Sequence, residues 1–381
     1  VKGIPRPKPE DLIRKTFARF ADEEIIPKAR EMDEANEFPR WMFQKIAKTG
    51  AFGIRYPKSV GGAGGNTTQF CIMVEELARG SMAVGAFTAM QCLMGTNFLF
   101  EYGTPEIHER LFKPALRGEK IGAFCMTEAD AASDLANVKT TARRDGDSWV
   151  INGSKTWVTN GPVADYFTVF CQTDKSLGLR GMNFFLIERE TPGLYVSKKF
   201  EKLGTRATEI SDLALTDVRI PLEHRLGGEG QGVTNLLRML ARIRVMTAAL
   251  SLGLARAAYD HSKRYALERT QFGKRIGSYQ LVQQKIANMA TDIWISQLMV
   301  YATTAKIDQG DRALKEASMT KYFVSEVACR AADSATRVLG AYAYSMEYDV
   351  QRFYRDCRFL LYGGGTSEIL QTIISRECGV F

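Results

Sequence analysis

Apolar positions in the first third of the chain recur at helical spacing. Leu12, Ile13, Phe17 and Phe20 follow Pro9 and Asp11 and continue into EEIIPKAREM. Spacings of three and four residues put such positions on one helix face. FPRWMFQKIAKTGAFG predicts a second helix that ends near Gly50. The glycine-rich turn at 61–66 precedes a third, FCIMVEELARG, and TPEIHERLFKPALRGE predicts a short helix capped by Thr104. Between these last two, Gly80–Phe100 carries no charge over a span long enough to cross a bilayer. It also holds three Gly, a Ser, two Thr, a Gln and an Asn. That content predicts a helix buried inside the protein rather than a membrane span.

The period changes after about Gly122. The runs SWVING, YFTVFCQT, MNFFLIE, LYVSKKF and DLALTDVRIP are separated by Asp, Gly and Pro up to Arg225. Short strands at this spacing predict a sandwich or barrel. Asp-Gly and Asn-Gly pairs flank SWVI and predict a turn at each end of it. Long amphipathic stretches then run over 231–267, 278–309 and 313–339, with a short one over 366–376. The expected organisation is α+β multidomain: an N-terminal helical domain (1–121), a middle β domain (122–228) and a C-terminal domain like a four-helix bundle (229–381).

Composition adds exclusions. Hydrophobic residues make up 45% and charged ones 25%, which excludes a disordered or low-complexity chain. The net charge of +8 suits a polyanionic partner. The Lys and Arg residues are dispersed, so the basic stripe of a nucleic-acid binder is missing. Seven scattered cysteines and three histidines, with no CxxC, argue against a disulfide framework and against a metal site. Reduced thiols and an N-terminal stretch without the apolar run of a signal peptide point to a cytoplasmic protein.

Four passages carry candidate chemistry. CMTEADAASD (125–134) offers Thr127, Ser133 and small residues that allow close backbone approach; it suits a ring or phosphate, or is an ordinary loop. NGSKTWVTNG (152–161) reads as a strand with Trp157 and Thr159 on one face, suited to an aromatic ligand edge or to a β-core. ERTQFGKRI (268–276) places Arg269 and Phe272 three apart at a helix end, for a diphosphate and a ring or as a solvated charge run. Gly363-Gly364-Gly365 opens the last helix, where backbone N–H groups receive an oxygen.

In this order and at these separations, the four passages resemble the acyl-CoA dehydrogenase family over nearly the whole chain. The resemblance implies one FAD per subunit, an acyl-CoA substrate, a homotetramer and an electron-transferring flavoprotein as electron acceptor. It sets Phe124, Met126, Thr127, Trp157 and Thr159 against the flavin ring and Ser133 near the diphosphate and the CoA arm. Arg269, Phe272, Gln280 and the stretch containing Arg337, Gly340 and Ala341 would reach the FAD of a neighbouring subunit. Thr366 and Glu368 would close the FAD site, and Arg244 and Arg376 would lie near CoA. The Gly364 N–H would hold the thioester oxygen, in the manner of an oxyanion hole.

One departure bears on mechanism. The family's catalytic Glu stands immediately before the Gly-Thr pair, or in a minority just before the arginine that matches Arg244. Here those positions are Gly364 and Ile243. A placed general base is worth about 10²–10⁴ in rate. Oxidation of a bulky, cyclic or unsaturated acyl-CoA by a base displaced from the usual position is one expectation. A base-free lyase that expels carboxylate or sulfinate is another, and an impaired member a third. On the uncharged helix, Gly85, Ala86 and Ala89 are expected to leave room for a bulky acyl group, with Gln91 as a polar substrate contact. Gly85 also stands where glutaryl-type members place an arginine, which argues against a dicarboxylic substrate.

Overall fold

The computed structural model describes residues 8–380. Residues 1–7, the start of the stretch read above as lacking a signal peptide, lie outside the described residues.

Helix α1 (Lys8–Phe20) packs on α2 (Thr67–Gly80). A capping box opens α2: Asn66 Oδ1 accepts from the Gln69 N–H, and Gln69 Oε1 accepts from the Asn66 N–H. The uncharged segment becomes α3 (Met82–Ala89), a π-turn (Met90–Met94) and a further helix (Asn97–Tyr102). It is long and apolar enough to cross a membrane, yet most of it is buried within the fold.

The middle strands are β1 (Gly122–Cys125), β2 (Thr141–Asp145), β3 (Ser148–Thr159), β4 (Tyr166–Gln172), β5 (Met182–Glu188), β6 (Leu194–Val196), β7 (Ile210–Pro221) and β8 (Arg225–Leu226). They form one sheet in the order β6-β7-β3-β2-β4-β5-β8, with β1 parallel to β4. Alternation along β4 and β5 splits the core. Phe170 and Phe184 face the helices, whereas Cys171 and Phe185 join a second core with Trp149, Ile151 and Val158.

One turn expectation fails. Gly146-Asp147 does turn β2 into β3, but Asn152-Gly153 lies inside β3, at a register shift against β7. The Asn152 side chain bridges that bulge: its Nδ2 donates to Asp217 Oδ1 (3.0 Å) and its Oδ1 accepts from the Asp217 N–H (2.8 Å).

The C-terminal bundle comprises α4 (Gly232–Glu268), α5 (Gln280–Asp308), α6 (Leu314–Leu339) and α7 (Ser367–Glu377). A small hairpin, β9 (Thr270–Gln271) and β10 (Lys274–Arg275), follows α4. Helix α4 packs against α2, α5 and α6 and so joins the two helical ends of the chain. Gly85 is one of its contact points. A Cβ there would lie 2.8 Å from Ala78 Cβ and 2.9 Å from Leu250 Cδ2. The glycine therefore permits α3 to approach α2 and α4, and it leaves no space for an acyl group; that expectation is corrected.

A buried ionic cluster ties four helices together. Glu75 and Glu76 of α2 are fully buried. Arg14 of α1 pairs with Glu75 at 3.0 Å and with Glu76. Arg256 of α4 pairs with Glu76 at 2.6 Å and with Glu75. Tyr301 of α5 donates to Glu75. Burial alone raises a carboxyl pKa, but the Arg256 and Arg14 charges outweigh it and hold Glu75 at about 2.

A depressed folded-state pKa gives stability that is present above the unfolded carboxyl value and lost as pH falls through the folded one. The Glu75 contribution should therefore disappear between about pH 4.5 and 2. Glu75→Gln leaves two buried arginines sharing one carboxylate. It should cost about 3 kcal/mol at neutral pH, near the low end for a broken buried pair. Urea unfolding at pH 7 and pH 3 checks both: the wild-type advantage should shrink at the lower pH.

Candidate functional site

The candidate residues lie on the loop after β1, the far end of β3, the middle of α4 and the glycine loop before α7. After β1 the chain leaves the sheet, and a buried ion pair fixes its path. Lys155 Nζ donates to Glu128 Oε1 (2.7 Å) and to Met126 O (3.3 Å). Glu128 also accepts the N–H groups of Lys139 (2.7 Å) and Thr140 (3.0 Å). Burial pushes the Glu128 carboxyl up, but Lys155 and these donors leave it below its usual value. The Thr156 N–H donates to Thr127 O (2.8 Å), which lays Met126–Thr127 along β3. Neither Glu128 nor Lys155 was anticipated as a site residue, although both stand inside the quoted motifs.

Trp157 is not in the β-core. A second register shift in β3, between Lys155 and Val158, turns it outward while Val158 stays in the core. Its φ is +57° and it is 61% exposed, with only an edge contact to Phe200. Phe272 is 92% exposed at φ +51°. Left-handed backbone at a bulky residue costs about 1–3 kcal/mol and clusters at ligand sites. Two exposed, strained aromatic residues, each in a motif read as ring-binding, fit a planar cofactor. Thr159 is half-buried on the side of β3 away from Val158. Phe124 is packed among Phe98 and Phe184, so only an edge of its ring is open. Ser133 is exposed.

The second expected group gathers at one end of the bundle. The Arg269 guanidinium lies over the Tyr342 ring, which follows Gly340 and Ala341. Phe272 meets Tyr279 edge-on, immediately before Gln280. Arg337 pairs with Asp333 at 2.6 Å. Among the described residues, no hydrogen bond or ring pair joins this group to Thr127, Trp157 or Thr159.

The glycine loop faces α4. Gly364 has φ +74° and Gly365 φ +108°, after which Thr366 caps α7 by accepting from the Ile369 N–H (3.3 Å). Glu368 is exposed in the first turn of α7. A Cβ on Gly364 would lie 3.6 Å from Ile243 Cγ2 and 3.2 Å from Thr247 Oγ1. The two positions that hold the family's base therefore adjoin, and neither is acidic. The Gly364 N–H has no acceptor among the described residues. Lys321 of α6 steadies the loop, donating to Gly365 O (2.6 Å) and Leu361 O (3.3 Å).

One further expectation changes. Gln91 is fully buried and spent on backbone: its Nε2 donates to Ala115 O (3.1 Å) and Lys120 O (2.9 Å), and its Oε1 accepts from the Gly122 N–H (3.1 Å). It holds β1 against the π-turn and is closed to substrate. Of the two arginines expected near CoA, Arg244 is buried in α4 and Arg376 is exposed in the last turn of α7. Cys92 is buried with its Sγ on Ala51 O, and burial raises its pKa, so no thiolate forms there.

Three family models match the chain in succession. They are acyl-CoA dehydrogenase, N-terminal domain, over residues 7–119; middle domain, over 123–218; and C-terminal domain, over 230–379. Benzylmalonyl-CoA dehydrogenase of Aromatoleum aromaticum is 48% identical over 366 residues, 96% of each chain. The caffeyl-CoA reductase–Etf complex subunit CarC of Acetobacterium woodii is 38% identical over 96% of each chain. Among solved structures, the glutaryl-coenzyme A dehydrogenase–glutaryl-CoA complex superimposes with a TM-score of 0.95 at 35% identity, covering 100% of this chain and 97% of that one.

Glu128→Gln should loosen the loop that carries Met126 and Thr127, because it leaves Lys155 buried without its charge partner. Flavin retention should weaken by about tenfold, at the low end for a buried charged partner left unsatisfied. The ratio of flavin to protein absorbance after dialysis measures it; unchanged retention would separate this loop from cofactor binding.

Proposed function

The chain belongs to the acyl-CoA dehydrogenase family, as an oxidoreductase of CH–CH groups, and from that premise we propose that it oxidises an aryl-substituted 2-carboxyacyl-CoA with loss of carbon dioxide. The observation that carries this is the pairing of Gly364 with Ile243, which leaves the α-carbon side of the site without a carboxylate. A substrate that carries its own α-carboxylate needs none; the missing arginine at Gly85 argues against a distal second carboxylate of the glutaryl type, not against one on the α-carbon. The bond from the α-carbon to the carboxylate breaks and carbon dioxide departs. The released electron pair closes the α,β double bond while the β-hydrogen leaves with its own pair as hydride. Atoms and charge balance: a 2-carboxyacyl anion gives an enoyl thioester, carbon dioxide and one hydride. The name of the benzylmalonyl-CoA relative fits an acyl group with both an aryl ring and an α-carboxylate, and that of the caffeyl-CoA relative fits the aryl ring.

FAD, the expected cofactor, supplies the hydride acceptor when bound. Met126, Thr127, Trp157 and Thr159 would hold its ring, and Ser133 would face the diphosphate. Arg269, Phe272, Gln280 and the 337–341 stretch would serve the site of a neighbouring subunit in a homotetramer, since they stand apart from the first group within one chain. The free Gly364 N–H would hold the thioester oxygen and stabilise charge that builds there. Lys321 keeps that N–H in place through its hold on Gly365. An electron-transferring flavoprotein as acceptor fits the caffeyl-CoA relative, which is named as a subunit of an Etf complex. A cytoplasmic location fits the free thiols.

Benzylmalonyl-CoA mixed anaerobically with the holoenzyme should bleach the flavin and release one carbon dioxide per flavin reduced. The expected rate with 3-phenylpropionyl-CoA is lower by about 10² or more, as for a reaction without its base. Carbon dioxide release with the flavin still oxidised would instead mark a redox-neutral lyase. Fast bleaching by 3-phenylpropionyl-CoA would reveal a base.

Installing a base is a separate test. Ile243→Glu keeps a helical backbone, whereas Gly364→Glu strains a position at φ +74° against Thr247. Ile243→Glu should therefore raise oxidation of 3-phenylpropionyl-CoA by up to about 10²–10⁴, and Gly364→Glu by less. No gain from Ile243→Glu with FAD bound would place the α-carbon elsewhere.

A further inference from the structure

Arg244 is 4% exposed and follows Ile243 on α4. Its Nη1 donates to Ser318 Oγ (2.9 Å), which passes its own hydrogen to Leu314 O (2.6 Å). Its Nε has no partner. Among the described residues, no Asp or Glu pairs with it. The Nε atoms of the other buried arginines, Arg14 and Arg352, are likewise without a partner, but both of these arginines have acidic partners. Arg14 pairs with Glu75 and Glu76, and Arg352 with Asp349 at 2.8 Å. Arg256, which is less deeply buried, pairs with both glutamates of α2.

An unpaired buried guanidinium is costly, with an effective penalty of several kcal/mol per ion. Burial alone pushes its pKa down to about 10, so it stays charged at neutral pH. Its position adjoins the glycine loop. Ser318 lies one turn before Lys321 on α6, the residue that grips Gly365 and Leu361. Arg244 lies close enough to help lower the Lys321 pKa, after burial as the main cause, to about 8. The unpaired guanidinium thus sits on the residue next to Ile243 and is anchored on the helix whose Lys321 grips the glycine loop, and none of Ile243, Thr247 and Gly364, which adjoin there, is acidic.

We propose that Arg244 is the counter-ion for the α-carboxylate of the acyl group, and so the residue that selects 2-carboxyacyl thioesters over plain ones. Resting as it does on the carboxylated substrate proposed above, this role concerns binding: an ion pair made with the ground-state carboxylate and weakened as carbon dioxide departs tightens binding and lowers kcat along with KM. The CoA moiety is the other anion that could reach Arg244.

A matched pair of ligands separates the two. Phenylmalonyl-CoA and phenylacetyl-CoA differ only by the α-carboxylate, and neither has a β-hydrogen to lose. Calorimetric titration of the wild-type holoenzyme should show phenylmalonyl-CoA binding about 10–100-fold more tightly, as for a buried charge-assisted contact. Arg244→Gln should abolish that preference while phenylacetyl-CoA affinity stays within about threefold, the scale of a lost screened contact. Ser318→Ala, which removes only the anchor of the guanidinium, should narrow the preference in the same direction. Equal wild-type affinity for the two ligands overturns the assignment. So does equal weakening of both by Arg244→Gln, which would place the arginine on CoA. Titration needs no turnover, so a binding preference without carbon dioxide release would leave Arg244 standing while removing the proposed reaction.

Discussion

Four helices meet on two buried carboxylates, and the geometry of the site follows from that junction. Glu75 and Glu76 lie side by side without access to water, so each must be neutralised by a neighbour. Arg14 supplies charge from α1 and Arg256 from α4, and Tyr301 adds a hydroxyl from α5. Such a cluster stabilises little beyond what an apolar core would, but it penalises misplacement of any member. It therefore fixes the rotation and height of α4 against α2. Gly85 works alongside it, allowing α3 to come within van der Waals distance of both.

The consequence is felt about three turns earlier on α4, where Ile243 and Thr247 face the glycine loop and Arg244 reaches Ser318 of α6. Their positions inherit the precision of the ionic junction. The other wall is set from α6, because Lys321 holds the loop by two carbonyls. On a rigid frame, the chemistry of the space is decided by what its side chains lack. A backbone donor at Gly364, an unpaired arginine next to Ile243 and no carboxylate at either position where the family's base stands come together there. A substrate that brings the missing anion complements all three features at once.

Much of the architecture was legible because the period of the apolar positions is a local property. The helices over 232–268, 280–308 and 314–339 fall within a few residues of the stretches predicted for them. The Asn152-Gly153 pair misled because a turn dipeptide also suits a bulge, and only the cross-strand partner Asp217 decides between them. Gly85 misled for a related reason: a missing side chain reads as space, whereas here helix packing uses that space. Gln91 was assigned to substrate as a polar residue on an apolar helix, and its three backbone partners come from distant segments that one sequence cannot place. The absence of both glutamates was plain in the sequence. That the two vacant positions adjoin, and that an unpaired arginine stands beside them, required the fold.

The central claim is that no group of this protein removes the α-proton. The fate of the α-hydrogen tests it most directly. Benzylmalonyl-CoA labelled with deuterium at the α-carbon would be mixed with the holoenzyme for a single turnover, fast enough to outrun exchange in free solution. If carbon dioxide leaves in place of a proton, the enoyl-CoA product keeps its α-deuterium in full. Loss of the label to solvent at the rate of flavin reduction would show that a base abstracts the α-hydrogen before carbon dioxide departs, and would contradict the account.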